Sequence, residues 1–138
     1  MKKFTKLDSI ITEIEYGLET INDKAFSDKA SGFIQNNETL SESETKQSER
    51  IMRVNHMGEV CAQGLYRGQA AFTEDDKTKK QLHIMCNEER EHLKICHRRL
   101  DELGAKGSIF NGLWYLSSFA LGALAGLTQK RYGAGFIE

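Results

Sequence analysis

Proline is absent from the whole chain of 138 residues. Without it the chain has no built-in helix stop and lacks a common turn former, which favours long helices over a turn-rich β fold. Glycine, present twelve times, gathers late and does not restore that punctuation. A charge excess is also missing: 19 Lys and Arg stand against 20 Asp and Glu, for a formal net charge of −1. That balance gives no basic surface for nucleic acid, so no nucleic-acid partner is expected. The three cysteines, Cys61, Cys86 and Cys96, form no C-x-x-C pair, and their odd number suits reduced thiols in a cytosolic compartment. Thr5, Lys6, Asp8 and Ser9 interrupt any apolar run near the start, so no signal peptide is expected. A dinucleotide-binding glycine pattern is lacking as well, so any reducing equivalents must come from outside.

What remains is helical. At 138 residues the chain makes at most one domain with a single modest core. Residues 1–22 place Phe4, Leu7, Ile11, Ile14, Leu18 and Ile21 at steps of three and four, which predicts an amphipathic helix that docks on the domain body by this stripe. A membrane-surface helix is the competing reading, and the acidic polar face argues against anionic lipid. Residues 23–40 are polar and weakly periodic and read as a linker. Ser41 and Glu44 have capping-box spacing, so a helix is expected over about 41–73, weakened by Gly58, Gly64 and Gly68. A second should run over about 76–103 and stop at Gly104. Residues 109–127, "IFNGLWYLSSFALGALAGL", contain no charge over 19 positions. Either a membrane-associated segment or a buried core helix fits that run, and Gly122 and Gly126 give a spacing that admits another helix closely.

The helix over 76–103 carries an anomaly. Its apolar stripe of Leu82, Met85, Leu93, Cys96, Leu100 and Leu103 is completed in the middle by Glu89 and His92. A buried carboxylate is costly unless it is paired or bound to a cation. A Glu-x-x-His pair on an inward stripe is what helix bundles use to hold two iron or manganese ions, while an internal ion pair or a solvated patch is the competing reading. The preceding helix has two stripes. One is Val54, Met57, Cys61, Leu65 and Phe72; the other is Met52, His56, Glu59, Gln63, Tyr66 and Ala70. Glu59 is the only acid in the middle of that helix, which makes it the candidate third ligand. His56 reads as a core histidine rather than a ligand, His83 and His97 as solvent-exposed, and Cys96 as a small apolar residue.

Three segments, "IMRVNHMGEVCAQGLYRGQ" (51–69), "EEREHLKICHRRLDELG" (88–104) and "LWYLSSFALGALAG" (113–126), carry a family resemblance. Over roughly residues 40–135 the chain resembles the bacterial demethoxyubiquinone hydroxylases of ubiquinone biosynthesis. The resemblance implies an all-α, ferritin-like bundle with a carboxylate-bridged di-iron centre. The activity it implies is hydroxylation of the benzoquinol ring of a polyprenylated precursor by O2, with an external electron donor. It also implies a peripheral seat on the cytoplasmic side of the cell membrane and other ubiquinone-biosynthesis proteins as partners. By motif, Glu59 matches the first iron ligand, Glu89 the bridging carboxylate and His92 the first histidine ligand.

The chain departs from the family in two places. Gly112 stands where the family usually has proline before the Leu-Trp-Tyr run. The remaining ligands, a Glu and a second Glu-x-x-His, come from two later helices in the family, and Glu138 falls too early to be one of them. The expectation is therefore an incomplete bundle with its C-terminal helices missing and residues 41–138 forming a partial ferritin-like domain. An inactive truncated gene product, or a helical membrane-associated interaction module, is the alternative to a working enzyme. Iron storage is the weaker third reading. Two copies would supply six ligands of the right types, although nothing in the sequence favours that assembly.

Overall fold

The computed structural model describes residues 5–22 and 39–132. Among them are four helices: α1 Lys6–Ile21, α2 Glu42–Phe72, α3 Asp76–Glu102 and α4 Asn111–Tyr132. Local chemistry sets their ends. Thr5 with Asp8 and Ser41 with Glu44 form reciprocal capping boxes that satisfy the orphan amides of α1 and α2. Asp75 accepts from the Thr78 amide at 2.8 Å to open α3. Gly104, at φ 70°, ends that helix in a conformation a side chain would disfavour.

Helix α2 is central, with α3 packed along one side and α4 along the other. The short connector between Phe72 and Asp76 turns α3 antiparallel to α2. Val60, Leu93 and Tyr115 form the junction of the three, and Leu82 and Leu100 extend the α2–α3 core. The α2–α4 seam is built differently. A methyl group at Gly64, Gly68, Gly122 or Gly126 would meet backbone atoms of the opposite helix, so the two helices touch main chain to main chain. The three glycines of α2 do not break it.

Helix α1 reverses the expected docking. Leu7, Ile11, Ile14 and Leu18 are 45–64 % exposed, and Phe4 lies outside the described residues. Of the stripe, Ile21 packs against the Val60–Leu93–Tyr115 junction, so the helix is held chiefly by polar groups. Arg67 grips the Glu13 carboxylate with Nε at 2.9 Å and Nη2 at 2.5 Å. Its guanidinium also lies 4.2 Å from the Tyr16 ring centroid, and Nη1 stands 3.1 Å from His83 Nδ1. Tyr16 donates its hydroxyl to Gln63 Oε1, and Gln63 Nε2 donates to the Cys86 carbonyl at 2.8 Å. Arg90 pairs with Glu19 at 2.7 Å. The periodicity names a shared face correctly, but these ion pairs decide which face meets the bundle. Replacing Arg67 with methionine removes the grip without opening a large void. It should release α1 and cost about 2 kcal/mol. Hydrogen exchange checks this: amides of 6–21 lose protection while those of α2 and α3 keep it.

Two further expectations change. His97 is buried at 6 % exposure, not solvent-exposed, because α3 turns it inward, its ring 6.1 Å from that of buried His56. His83 is half-buried against Arg67. Helix α4 is neither fully buried nor free. Tyr115, Gly122, Ala125 and Gly126 pack inward, while Leu113, Leu116, Leu121, Leu124 and Leu127 are exposed. Among the described residues no helix is long and apolar enough to cross a membrane. Glu138 and most of the 23–40 linker lie outside the described residues.

Candidate metal centre

The structure brings Glu59, Glu89 and His92 together. One ligand atom from each lies within 4.8 Å of the others, and among the described residues this is the single group of three or more His, Cys, Asp or Glu side chains so placed. The Glu89–His92 half is local: three residues apart on α3, they meet with His92 Nδ1 3.0 Å from Glu89 Oε2. Glu59 comes from α2. Of that helix's two stripes, the one with His56, Glu59, Gln63 and Ala70 faces α3, so His56, Gln63 and Ala70 are buried and Glu59 and Tyr66 half-buried. Val54 and Phe72 of the other stripe are exposed.

The cluster lies on the rim of the α2–α3 seam rather than inside it. Side-chain exposure is 24 % for Glu89 and 59 % for His92, which corrects the expectation of a buried pair. Leu82, Leu93 and Leu100 are fully buried, whereas Glu89, a step round the helix, is half-buried and His92 exposed.

The electrostatics fit a cation. Partial burial pushes the Glu59 carboxyl up to about 7, and a proton shared with Glu89 together with the Glu89 charge adds to the rise. The hydrogen bond to Glu89 raises His92 above the usual imidazole value. Two carboxylates and an imidazole converge, so the site favours added positive charge. Such hard oxygen and nitrogen donors suit iron or a similar first-row divalent ion. Cys96 offers no thiolate, since burial raises its thiol. Tyr66, two turns further along α2, is raised by burial and then by the Glu89 charge, so its phenol lies near the same carboxylates. Its spacing of seven from Glu59 was the available signal for that.

The sign of the resulting pH dependence follows from Glu59. Its folded value stands above the ordinary 4.5. Between about pH 4.5 and 7 the unfolded chain gives up this proton while the folded chain keeps it, so stability falls as pH rises through that window. In metal-free protein, the thermal midpoint of wild type should drop more from about pH 5 to about pH 8 than that of Glu59→Gln. Parallel pH curves for the two proteins would refute this.

An all-α bundle whose central pair of helices converges two carboxylates and an imidazole defines a ferritin-like protein with a candidate carboxylate–histidine metal site. Residues 46–138 match the model of the ubiquinone biosynthesis protein COQ7 family, and the chain belongs to that family. It is 43 % identical over 133 residues to a 3-demethoxyubiquinol 3-hydroxylase of Chromobacterium violaceum, covering 96 % of this chain and 65 % of the relative. To the enzyme of the same name from Xanthomonas campestris it is 41 % identical over 133 residues, covering 95 % and 61 %. A third, from Francisella tularensis subsp. novicida, is 41 % identical over 138 residues, covering 99 % and 65 %. The chain thus spans 61–65 % of the length of these relatives. No solved structure matches it.

Proposed function

We propose that the protein hydroxylates the benzoquinol ring of a polyprenylated demethoxyubiquinol in ubiquinone biosynthesis, using O2 and a pair of iron ions. The observation that carries this is the convergence of Glu59, Glu89 and His92 in a chain whose relatives are named 3-demethoxyubiquinol 3-hydroxylases. Glu59, Glu89 and His92 would hold the metal, and iron bound there supplies the redox chemistry that activates O2. The chain's own contribution is a preset anionic site: two carboxylates held close together, where a cation relieves the repulsion that raises the Glu59 carboxyl. Electrons come from an external donor.

The rest of the surface suits a lipid-tailed substrate. A groove of about 460 Å³ between α1, α2 and α4 is lined by Ile14, Leu18, Ile21, Phe72, Leu116 and Phe119 among others. With the exposed leucines of α4 and the outward stripe of α1 it forms an apolar surface that favours a peripheral seat on the cytoplasmic face of the cell membrane. Other ubiquinone-biosynthesis proteins are partners in this reading. That the described residues bring together three donors favours a second reading, a helical module that does not turn over.

The test is single turnover of the ferrous, reduced protein with a short-tailed demethoxyubiquinol and labelled O2. One labelled oxygen atom in the product supports the hydroxylase. Iron bound without product supports the non-catalytic module, and no bound iron removes the metal reading altogether.

A further inference from the structure

We propose that α1 is a clasp on the metal centre, in which Tyr16 and Gln63 act as positioning residues for Glu59 and Glu89. This rests on the metal reading above and concerns what holds the donors in place. Glu89 lies in the turn of α3 that runs from Cys86 to Arg90, where the Cys86 carbonyl is the regular helical acceptor for the Arg90 amide. Both ends of that turn are tied to α1. At its start, Gln63 Nε2 donates to the Cys86 carbonyl at 2.8 Å, and Gln63 Oε1 accepts from the Tyr16 hydroxyl. At its end, Arg90 pairs with Glu19 at 2.7 Å and lies 5.1 Å from the Tyr16 ring centroid. On α2, Gln63 stands one turn beyond Glu59, and Arg67, a turn further, grips Glu13. Helix α1 is thus fastened to both ligand-bearing helices beside their ligands.

Such a clasp opposes a force built into the site. Two carboxylates whose oxygens stand within 4.8 Å of each other repel, a push that parts α2 and α3 at their rim unless something holds them. Gln63 crosses the seam where that push acts. It is fully buried, so water does not compete for its bonds. With both ends of its amide engaged, it cannot follow α2 outward without pulling on Cys86 and Tyr16. The orientation of α1 agrees with this role. A helix that served only as cover would bury its apolar stripe, whereas α1 leaves Leu7, Ile11, Ile14 and Leu18 outward and turns its polar side to these anchors. The coupling runs through one contiguous set of bonds, from α1 through Gln63 and Arg90 to the turns that carry Glu59 and Glu89. A docked α1 presets the carboxylates for a cation, and a cation that draws them together tightens α1 in return.

The experiment is Co(II) titration read by the d–d absorption of the bound ion, for wild type, Tyr16→Phe and Arg67→Met. Beside it, hydrogen exchange of residues 6–21 is followed in metal-free and Co(II)-loaded protein. Tyr16→Phe keeps the ring and both ion pairs of α1, so the helix stays docked and only its bond to Gln63 is lost. Both variants should bind Co(II) about tenfold more weakly, the low end of the loss expected when a group that holds a ligand is removed. Their Co(II) band should also change shape, because the donors are no longer held at one spacing. In wild type, Co(II) should slow exchange of the α1 amides by about the same factor of ten, since coupling between two sites is reciprocal. That slowing should shrink in Tyr16→Phe. Wild-type Co(II) affinity in both variants overturns the proposal, makes α1 ordinary packing and leaves the metal reading standing. Exchange of the α1 amides that is indifferent to bound Co(II) overturns it as well. No Co(II) held by wild type overturns the metal reading and the clasp together.

Discussion

Glu89→Ala is expected to lower the ferrous iron affinity of the protein by more than about 100-fold, beyond the loss typical of groups that only support a ligand. Glu89 is the hinge of the cluster: it touches His92 at 3.0 Å, and its nearby charge helps hold the Glu59 carboxyl above its ordinary value. Removing it takes away a donor and also separates the other two, since His92 loses the group that orients its ring. The remaining pair of donors, one of them 59 % exposed, cannot exclude water from a metal. Folding should survive, because Glu89 stands on the rim of the α2–α3 seam and the apolar side chains beneath it are unchanged. Anaerobic equilibrium dialysis reads the effect, with Glu88→Ala as the neighbour that is exposed and outside the cluster. If Glu89→Ala keeps wild-type iron while Glu88→Ala behaves the same, the cluster is an ion pair and not a metal site.

Gly122→Val should destabilise the fold by about 3 kcal/mol, at the upper end of overpacking costs. The nearest atoms to an added side chain are the Leu65 carbonyl and the Gln69 amide nitrogen, which belong to the backbone of α2. A flexible side chain can turn aside; a helical backbone cannot, so the two helices must part along their whole seam. Tyr115 would then be drawn away from Val60 and Leu93, which loosens the junction of α2, α3 and α4. Gly112→Val is the control. There the added atom meets only the tip of Ile21 at 3.9 Å, an ordinary contact. Urea denaturation of the two variants should separate them clearly, and equal midpoints would show that α4 does not rest on α2 in this way.

Much of this architecture is local and therefore legible in the residues. The capping boxes at Thr5 and Ser41, the glycine stop at Gly104 and the absence of proline set helices of these lengths whatever they pack against. The Glu89–His92 pair is local in the same sense, since a spacing of three on any helix places both groups side by side. The close-packing glycines of α4 were visible as a spacing, and Gly64 and Gly68 of α2 prove to be their counterparts across the seam.

The sequence by itself determined that the chain is helical, where its helices begin and end, and which residues share each face. Only the tertiary structure decided what each face meets. Glu59 joins the cluster because α3 lies over its stripe of α2 while α4 takes the other side, a choice the sequence could not announce, since the stripe with His56, Glu59 and Gln63 is the more polar of the two. His97 is buried because α2 covers a wider arc of α3 than the apolar stripe alone marks. Helix α1 shows its apolar stripe outward because Arg67, Gln63 and Arg90 hold its polar side. The reason is common to all three. Periodicity is fixed by the geometry within one helix, whereas the side that docks is fixed by a sum of contacts with residues tens of positions away, and no local pattern contains that sum.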